Sequence, residues 1–363
     1  MNTVPSPRPA VADPALVRPG RVKPEARDPN MLWLDKNENP DPELAAVVRE
    51  AIAGVPLDAH FTYPDLAPLY AKLAASVGVE ADNLLLAPGS DGAIRAVFET
   101  FVSPGETVLL TEPTFAMYPV YGRIYGARAV PIAYGPSNAG PALSADTVVE
   151  TIARERPRLV CLPNPDSPTG TVFQPADLER IAAVAAKAGA VMLVDEAYYP
   201  FHPETAMPMI GRYPNLVVVR STAKAWGMAG IRVGYAVADA RLAALLHKVR
   251  PMYEIGAFSA AVLDRMLDRH DEVMASVARL EAGKRAFLDA MDGFGFRTLR
   301  GAGNFCHVAF GSRADAIHAA LTDLVYYRKD FAEPCLKGFS RFSAATPEQI
   351  APVIRRIGDV ARA

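Results

Sequence analysis

The sequence predicts an α/β protein built around a mostly parallel sheet. Short runs of β-branched and aliphatic residues, each bounded by turn residues, alternate with stretches in which apolar residues recur at helical spacing. Three of these runs, 191–194, 216–219 and 233–237, are predicted to be buried parallel strands. Because ligands bind beyond the carboxyl ends of such strands, the polar residues beside these runs are predicted to form the functional site.

Composition restricts the class of protein. The 363 residues are enough for one large domain and a smaller one, and half of them are hydrophobic, as in a globular protein. The net charge of −2 gives no basic surface for nucleic acid, and no apolar run is long enough to predict a membrane span. Three widely spaced cysteines, without a signal-like apolar core near residue 1, predict a cytoplasmic protein and indicate no metal site.

The predicted elements follow one another in a regular order. Residues 1–29 are rich in proline and predict an extended N-terminal arm, which either lies across a partner subunit or is a frayed terminus. Apolar spacing predicts helices over 43–53, 89–101 and 175–187, and strands over 84–87, 107–110 and 159–162. The stretch 258–291 is predicted to be one long helix between two domains, and Thr346 begins a capping box for the last helix.

Three charged residues lie beside the predicted strand ends. Asp195 and Lys224 follow the first two of the three runs, and Arg232 precedes the third. Pyridoxal phosphate requires an amine for its aldehyde, a carboxylate for its pyridine nitrogen and a cation for its phosphate. We therefore predict that Lys224 forms a Schiff base with this cofactor, that Asp195 keeps the pyridine nitrogen protonated, and that Arg232 binds the phosphate.

The motifs around these residues resemble those of one enzyme family. The stretches S-T-A-K-x-W-x-x-A-G-I-R-x-G at 221–234 and D-E-A-Y at 195–198 resemble the lysine and aspartate motifs of the fold-type-I pyridoxal-phosphate-dependent aminotransferases of classes I and II. The resemblance covers nearly the whole chain after about residue 30 and is greatest to the histidinol-phosphate aminotransferases. It implies a large cofactor-binding domain over 56–249, with a mostly parallel seven-stranded sheet flanked by helices, and a smaller α/β domain formed by 30–55 and 250–363.

The resemblance extends to the residues that hold the cofactor. It implies that a helix N-terminus, a serine, an arginine and a tyrosine from the partner subunit bind the phosphate, that an aromatic ring stacks on the pyridine, and that a tyrosine bonds the phenolic oxygen. In this sequence these residues are Ser90 and Asp91 (in G-S-D), Ser221, Arg232, Tyr63 (in Y-P-D), Phe115 (in P-T-F-A-M-Y) and Tyr198. A packed loop residue is the alternative for Tyr63.

One position departs from the family pattern. The family has an asparagine before P-T-G that bonds the phenolic oxygen of the cofactor, whereas this chain has Ser167 there. A serine hydroxyl can also donate one hydrogen bond but is shorter. Either Ser167 acts through a water, or Asn164 replaces the asparagine, or the contact is missing.

The resemblance also covers the substrate end of the site. Arg341 resembles the arginine that pairs with the α-carboxylate of an amino acid, and Arg328 resembles a second arginine that helps to hold a substrate phosphate. Asn39, in N-E-N-P, belongs to a segment that borders the active site in the family. The segment 252–258 is expected to line the substrate end, where Glu254 would favour a cationic substrate over a phosphate.

These assignments predict a two-stage transamination. Lys224, freed by the amino substrate, would move the α-proton as base and then as acid, while Asp195 and Tyr198 direct electrons into the ring. The predicted donor is L-histidinol phosphate and the acceptor is 2-oxoglutarate, both small molecules bound by a homodimer. The alternatives are an aminotransferase for another amino acid, a decarboxylase of the same fold, and a non-catalytic binding protein that has kept the fold.

Overall fold

A computed structural model describes residues 6–17 and 27–363. Of the arm predicted over 1–29, residues 1–5 and 18–26 therefore lie outside the described part. Within the described residues the helices are α1 (Pro9–Ala12), α2 (Pro42–Ala53), α3 (Ala67–Val77), α4 (Gly89–Phe101), α5 (Met117–Ile124), α6 (Ala145–Glu155), α7 (Pro175–Ala188), α8 (Ala240–Leu246), α9 (Ala257–Leu267), α10 (His270–Gly293), α11 (Ala314–Ala320) and α12 (Pro347–Arg362). The strands are β1 (Leu32–Trp33), β2 (Leu84–Ala87), β3 (Thr107–Glu112), β4 (Arg128–Ala133), β5 (Gly135–Ser137), β6 (Gly140–Ala142), β7 (Leu159–Pro163), β8 (Val191–Asp195), β9 (Leu216–Ser221), β10 (Gly234–Ala238), β11 (Arg297–Leu299), β12 (Phe305–Ala309), β13 (Val325–Tyr326) and β14 (Ser340–Ser343).

The central sheet confirms the predicted α/β architecture. It has seven strands in the order β2-β10-β9-β8-β7-β3-β4, and the five from β9 to β4 are mutually parallel. Its inner strands are continuous apolar runs because helices cover both faces of the sheet. Along β8, Leu193 packs in the core with α4 and α5, whereas Met192 and Val194 pack in the core with α6 and α7.

Strand β10 runs in the direction opposite to the one that the sequence predicts. The run 233–237 predicts a parallel strand, but β10 is antiparallel to both β9 and β2. The connection from β9 to β10, residues 222–233, contains no helix, so it cannot make the crossover that a parallel strand needs. Because the chain turns back directly, Arg232, which lies two residues before β10, is at the edge of the sheet at which β8 and β9 end.

The stretch predicted as one helix over 258–291 is two helices. α9 ends at Leu267 and α10 begins at His270. Residues 268–272 are all polar, so they interrupt the apolar stripe, and a turn at residues 268–269 separates the two helices. α9 and the first half of α10 pack in one core with the sheet, whereas Phe287 and Met291 of α10 pack in another. Helix α10 therefore contributes to both cores.

The second core belongs to a smaller three-stranded antiparallel sheet, β11-β12-β14, which packs with α10, α11 and α12. Strand β1 pairs in parallel with β13, so the segment before α2 joins the C-terminal part of the chain. The predicted capping box of the last helix is confirmed, because Thr346 and Gln349 bond each other reciprocally at the start of α12. None of the described helices has the length and apolar content needed to cross a membrane.

Candidate active site

A cavity of about 670 Å³ opens where β7, β8 and β9 end. The last residues of these strands, Pro163, Asp195 and Ser221, line it together with Arg341 of β14, so it lies between the large sheet and the small one. The cavity brings together these residues that the sequence predicts: Ser90, Asp91, Phe115, Ser167, Asp195, Tyr198, Ser221, Lys224, Arg232, Arg328 and Arg341. Three other predicted residues are not among those that line it: Asn39, Tyr63 and Asn164.

Asp195 is a buried carboxylate at the end of β8. Its Oδ2 accepts a hydrogen bond from the Tyr118 hydroxyl (3.0 Å), and its Oδ1 accepts one from the Ala197 N–H (3.0 Å). Burial raises the pKa of Asp195 to about 6, although both hydrogen bonds oppose the increase. A cationic group beside this carboxylate would keep it ionised, which is what a protonated pyridine nitrogen provides.

Lys224 lies in the turn that follows β9 and is half-buried. Its Nζ donates a hydrogen bond to the Lys36 carbonyl (2.8 Å) and lies 6.0 Å from the centre of the Tyr198 ring. Burial, together with the nearby charges of Arg341 and Arg232, lowers the pKa of Lys224 to about 8. An amine with such a pKa is partly neutral near neutral pH, so it can act as a nucleophile and as a base.

The N-terminus of α4 forms a cradle for an anion. Gly89 has a φ of +77°, and a Cβ there would lie 2.7 Å from Nη2 of Arg232, so only glycine lets the guanidinium rest over the first turn of the helix. Gly234 is needed in the same way, because a Cβ on it would lie 2.2 Å from the Ser90 nitrogen. Free N–H groups, the helix dipole and Arg232 together suit a phosphate.

Tyr198 belongs to a hydrogen-bond network that the sequence does not reveal. The Nδ2 of Asn37 donates to the Tyr198 hydroxyl (2.8 Å). Burial raises the pKa of Tyr198, and the nearby side chain of Ser167 opposes this increase. Because an amide N–H can only donate, the Tyr198 oxygen accepts from Asn37 and keeps its own proton available for another acceptor. Asn37 is held in turn, since its N–H donates to Ser343 Oγ (2.8 Å) and its carbonyl accepts from Asn304 (2.9 Å).

Two predicted asparagines bond protein groups outside the cavity. The amide oxygen of Asn164 accepts a hydrogen bond from the Phe173 N–H (2.7 Å), and its Nδ2 donates one to the Phe173 carbonyl (3.3 Å). The amide of Asn39 donates to the Ala225 carbonyl (3.0 Å) and to Ser276 Oγ (3.1 Å). Of the two asparagines in N-E-N-P, it is Asn37 that lines the cavity.

Tyr63 and Glu254 also lie away from the cavity of their own chain. The Tyr63 side chain is 77% exposed and stacks on Tyr253, with ring centroids 4.3 Å apart. Glu254 is buried and accepts hydrogen bonds from the Tyr70 hydroxyl and from Arg250, both at 2.6 Å. Within this chain the expectation that Glu254 sits at the substrate end is therefore wrong, because its charge is already paired in a different place.

Two arginines lie side by side on one wall of the cavity. The backbones of Arg328 and Arg341 pair as an antiparallel bridge, with N–O distances of 3.1 and 2.8 Å. Arg341 is buried, its Nη2 donates to the Asp35 carbonyl (2.9 Å), and its Nε has no partner among the described residues. Nη2 of Arg328 lies 3.4 Å from both carboxylate oxygens of Glu333, a cavity residue that the sequence does not reveal. A buried donor without a partner indicates a site for an anion.

These groups fit pyridoxal phosphate. Asp195 is placed for a ring nitrogen, Lys224 for an aldehyde, and the start of α4 with Arg232 for a phosphate. Phe115, half-buried in the cavity wall, offers a flat apolar surface to a ring. The Arg328–Arg341 wall remains free for a substrate.

Comparison with known proteins supports this interpretation. The family described as aminotransferase class I and II matches residues 29–357. Histidinol-phosphate aminotransferase 1 of Burkholderia lata is 34% identical over 327 residues, which cover 88% of this chain and 90% of that protein. Histidinol-phosphate aminotransferase of Thermobifida fusca is 32% identical over 330 residues, covering 88% and 87% of the two chains.

Solved structures share the fold. The histidinol-phosphate aminotransferase of Sinorhizobium meliloti, solved in complex with pyridoxal-5′-phosphate, superposes with a TM-score of 0.81 at 22% identity and covers 100% of this chain and 99% of its own. The N-succinyldiaminopimelate aminotransferase of Mycobacterium tuberculosis gives a TM-score of 0.73 at 24% identity, with 90% and 91% covered. By the family match and by its sequence relatives, the chain belongs to the class I and II aminotransferases.

Proposed function

We propose that this aminotransferase transfers the amino group of L-histidinol phosphate to 2-oxoglutarate. The observation that carries the proposal is the pair of arginines, Arg328 and Arg341, on the wall of the cavity that also holds Lys224. Two adjacent guanidinium groups can bind a phosphate through several charge-assisted hydrogen bonds. The names of the sequence relatives, several of them above 30% identity, agree with this donor.

Lys224 moves the proton. Pyridoxal 5′-phosphate, the cofactor of this aminotransferase, supplies when bound an aldehyde carbon and a ring that takes up an electron pair. Lys224 holds the cofactor through its Nζ, and the same Nζ, once released, accepts the proton from the α-carbon of the donor. Its pKa of about 8 suits both the acceptance and the return of that proton.

Asp195 and Tyr198 set the charge around the cofactor ring. Asp195 is ionised when a ring N–H lies beside it, and Tyr118 and Ala197 keep the carboxylate in place. The Tyr198 oxygen accepts a hydrogen bond from Asn37, so the Tyr198 hydroxyl can donate its own proton to a group in the cavity. Ser167 lines the cavity together with Tyr198, whereas the amide of Asn164 bonds Phe173, so we propose that Ser167, and not Asn164, stands in for the asparagine of the family.

We also propose that the enzyme is a homodimer in which Tyr63 completes the phosphate site of the partner subunit. Tyr63 does not line the cavity of its own chain, and its side chain is exposed. Phe61, two residues before Tyr63, is also exposed. So are Tyr253, on which Tyr63 stacks, and its neighbour Met252. Exposed aromatic and apolar residues of this kind are typical of protein interfaces.

A second candidate donor is an α-amino acid without a phosphate. The contact between Glu333 and Arg328 favours it, because only Arg341 is then left without a carboxylate partner, and one guanidinium suits one carboxylate. The decarboxylase of the same fold remains an alternative with the same cofactor residues.

The test is to add L-histidinol phosphate to the purified holoenzyme without an oxo acid and to record the visible spectrum. The band of the covalently held cofactor is expected to disappear, and 2-oxoglutarate is expected to restore it. A Lys224→Ala variant is expected to lose the band and to reduce turnover by at least about a thousandfold. Lys187→Ala, at an exposed position in α7, is the matched control and leaves both unchanged.

A band that the phosphate donor does not move would contradict the proposed donor, and a series of α-amino acids would then be tested. Release of carbon dioxide instead of an oxo product would indicate the decarboxylase. Full turnover by the Lys224→Ala variant would show that the assignment of Lys224 is wrong.

A further inference from the structure

Glu333 is an acidic residue in a wall that otherwise presents cations to the substrate. It lines the cavity beside Arg328 and Arg341 and lies within 3.4 Å of the Arg328 guanidinium. No role in cofactor binding accounts for it, because the phosphate cradle and Asp195 are formed by other elements. Its effect must therefore be on the group that the two arginines bind.

The two arginines are not equivalent. Glu333 neutralises Arg328, whereas Arg341 bonds only a carbonyl of Asp35, whose carboxylate is paired with Arg27 at 2.6 Å. When the cofactor is bound, Arg232 would hold its phosphate and Asp195 would hold its ring nitrogen, so these two residues would be engaged by the cofactor. The guanidinium of Arg341 is then the positive charge on this wall that has no carboxylate partner among the described residues. That charge balances one negative charge on a substrate and not two.

Only the side chain of Glu333 has to move to change this balance. Its backbone is fixed, because its carbonyl accepts the Leu336 N–H (3.0 Å), whereas its side chain is 30% exposed and can turn to water. Arg328 stays in place without Glu333, since its Nε donates to the Asp330 carbonyl (3.2 Å) and its guanidinium stacks on Phe331 at 3.9 Å. Removing the charge at residue 333 therefore leaves both arginines in position.

We infer that Glu333 is a specificity-determining residue, which competes with an anionic substrate for Arg328 and disfavours a dianion more than a monoanion. The position of the anion subsite in this inference rests on the proposed function, but the identity of the donor does not. A phosphate on the substrate takes the place of the Glu333 carboxylate on Arg328, whereas a carboxylate is held by Arg341 alone. Glu333 thus weakens the binding of every anion, and it weakens dianions most.

The test compares sulfate, a dianion, with acetate, a monoanion, by titration calorimetry at constant ionic strength. The holoenzyme is used, because the cofactor then occupies the cradle at Arg232 and the added anion reports on the other two arginines. In Glu333→Gln we expect sulfate to bind about tenfold more tightly and acetate about threefold, since the repulsion removed is proportional to the charge of the ligand. Glu150→Gln, at an exposed position in α6 outside the cavity, is the matched control and changes neither affinity.

A role of Glu333 that is only structural would give a different result. It predicts that sulfate and acetate change equally or not at all in Glu333→Gln, and either outcome would overturn the inference. Glu333→Asp keeps the charge and is expected to bind both anions as the parent does, and Glu333→Ser is the second uncharged variant if the glutamine variant folds poorly. With a working donor, Glu333→Gln is also expected to lower KM for a phosphate-bearing substrate and to leave kcat within about twofold.

The outcomes separate the two proposals. If L-histidinol phosphate is not a donor but sulfate gains more affinity than acetate in Glu333→Gln, the proposed donor is wrong and the role of Glu333 stands. If L-histidinol phosphate is turned over and the sulfate affinity does not change, the proposed function stands and the role of Glu333 is wrong.

Discussion

Asp195 serves the cofactor at the expense of the stability of the free chain. Its carboxylate is buried with two hydrogen bonds and makes no ion pair with the described residues, and burial raises its pKa to about 6, above the ordinary value near 4. A carboxyl group whose folded-state pKa is raised binds protons more tightly in the folded state. The contribution of Asp195 to the stability of the cofactor-free protein therefore falls as the pH rises from about 4 to about 6, and it stays at the lower level above that range.

The direction of this pH dependence leads to a prediction for Asp195→Asn. Well above pH 6 the cofactor-free variant is expected to be more stable than the parent by roughly 1 to 3 kcal/mol, because no buried charge has to be kept. The difference should disappear as the pH falls towards about 4, where Asp195 of the parent is protonated. Urea unfolding of both cofactor-free proteins across this pH range measures it, with Asp82→Asn as the exposed control. Equal stability above pH 6 would contradict the prediction.

At the residue scale the sequence predicts best the side chains that follow strands. Lys224 and Asp195 are visible because a buried run ends beside each of them, and parallel ends meet at one edge. Asn37 and Asn39 are two residues apart in one loop, and no periodicity tells which of them faces the cavity. Asn37 adopts a left-handed conformation (φ +55°), which turns its amide towards Tyr198, and only the fold determines that.

At the scale of elements, the approach of α4 to β10 produces the phosphate cradle. Both elements contribute a glycine, and at both positions a Cβ would meet a neighbour well inside contact distance. Gly89 combines this crowding with a positive φ, whereas Gly105 has a positive φ of +86° and no heavy atom within 4 Å of the added Cβ. Substitutions at Gly89 and Gly105 therefore distinguish the effect of backbone strain from the effect of crowding Arg232.

We predict different effects for Gly89→Ala and Gly105→Ala. Both are expected to lower the free energy of unfolding by about 1 kcal/mol, because both force alanine into the left-handed region. Only Gly89→Ala should also weaken the binding of pyridoxal phosphate, by at least about tenfold, because it displaces Arg232 from the helix terminus. Thermal unfolding and titration with the cofactor measure the two effects. Equal cofactor affinity in the two variants would contradict the role assigned to this contact.

The order of the helices and strands can largely be predicted from the sequence, but the directions of the strands cannot. The central strands are predicted within a residue or two, because full burial makes them continuous apolar runs. Edge strand β4, Arg128–Ala133, is mostly exposed and lacks such a run, so the sequence does not predict it. The direction of β10 depends on the short connection 222–233, and the local pattern of 233–237 carries no information about it.

At the scale of the whole molecule, the exposed aromatic side chains support our proposal of a homodimer. Tyr63 and Tyr253 stack nearly in parallel on the surface, and Phe61 and Met252 beside them in sequence are 71% and 82% exposed. A single chain gains nothing from leaving such residues in water. Our proposal that Tyr63 serves the partner subunit accounts for this exposure, and it makes each active site a product of two chains.

Mixing two inactive variants tests this arrangement. Tyr63→Ala is expected to bind pyridoxal phosphate roughly tenfold to a hundredfold more weakly, because a hydrogen bond to a charged group is lost, and Lys224→Ala has no turnover. After unfolding and joint refolding at limiting cofactor, half of the dimers are mixed. Each mixed dimer has one intact site, so we expect about a quarter of the parent activity.

Mixing Lys224→Ala with Arg232→Ala is the control, because both residues line the cavity of their own chain and no mixed dimer has an intact site. Failure of the Tyr63→Ala mixture to exceed this control would show that Tyr63 does not act across the interface.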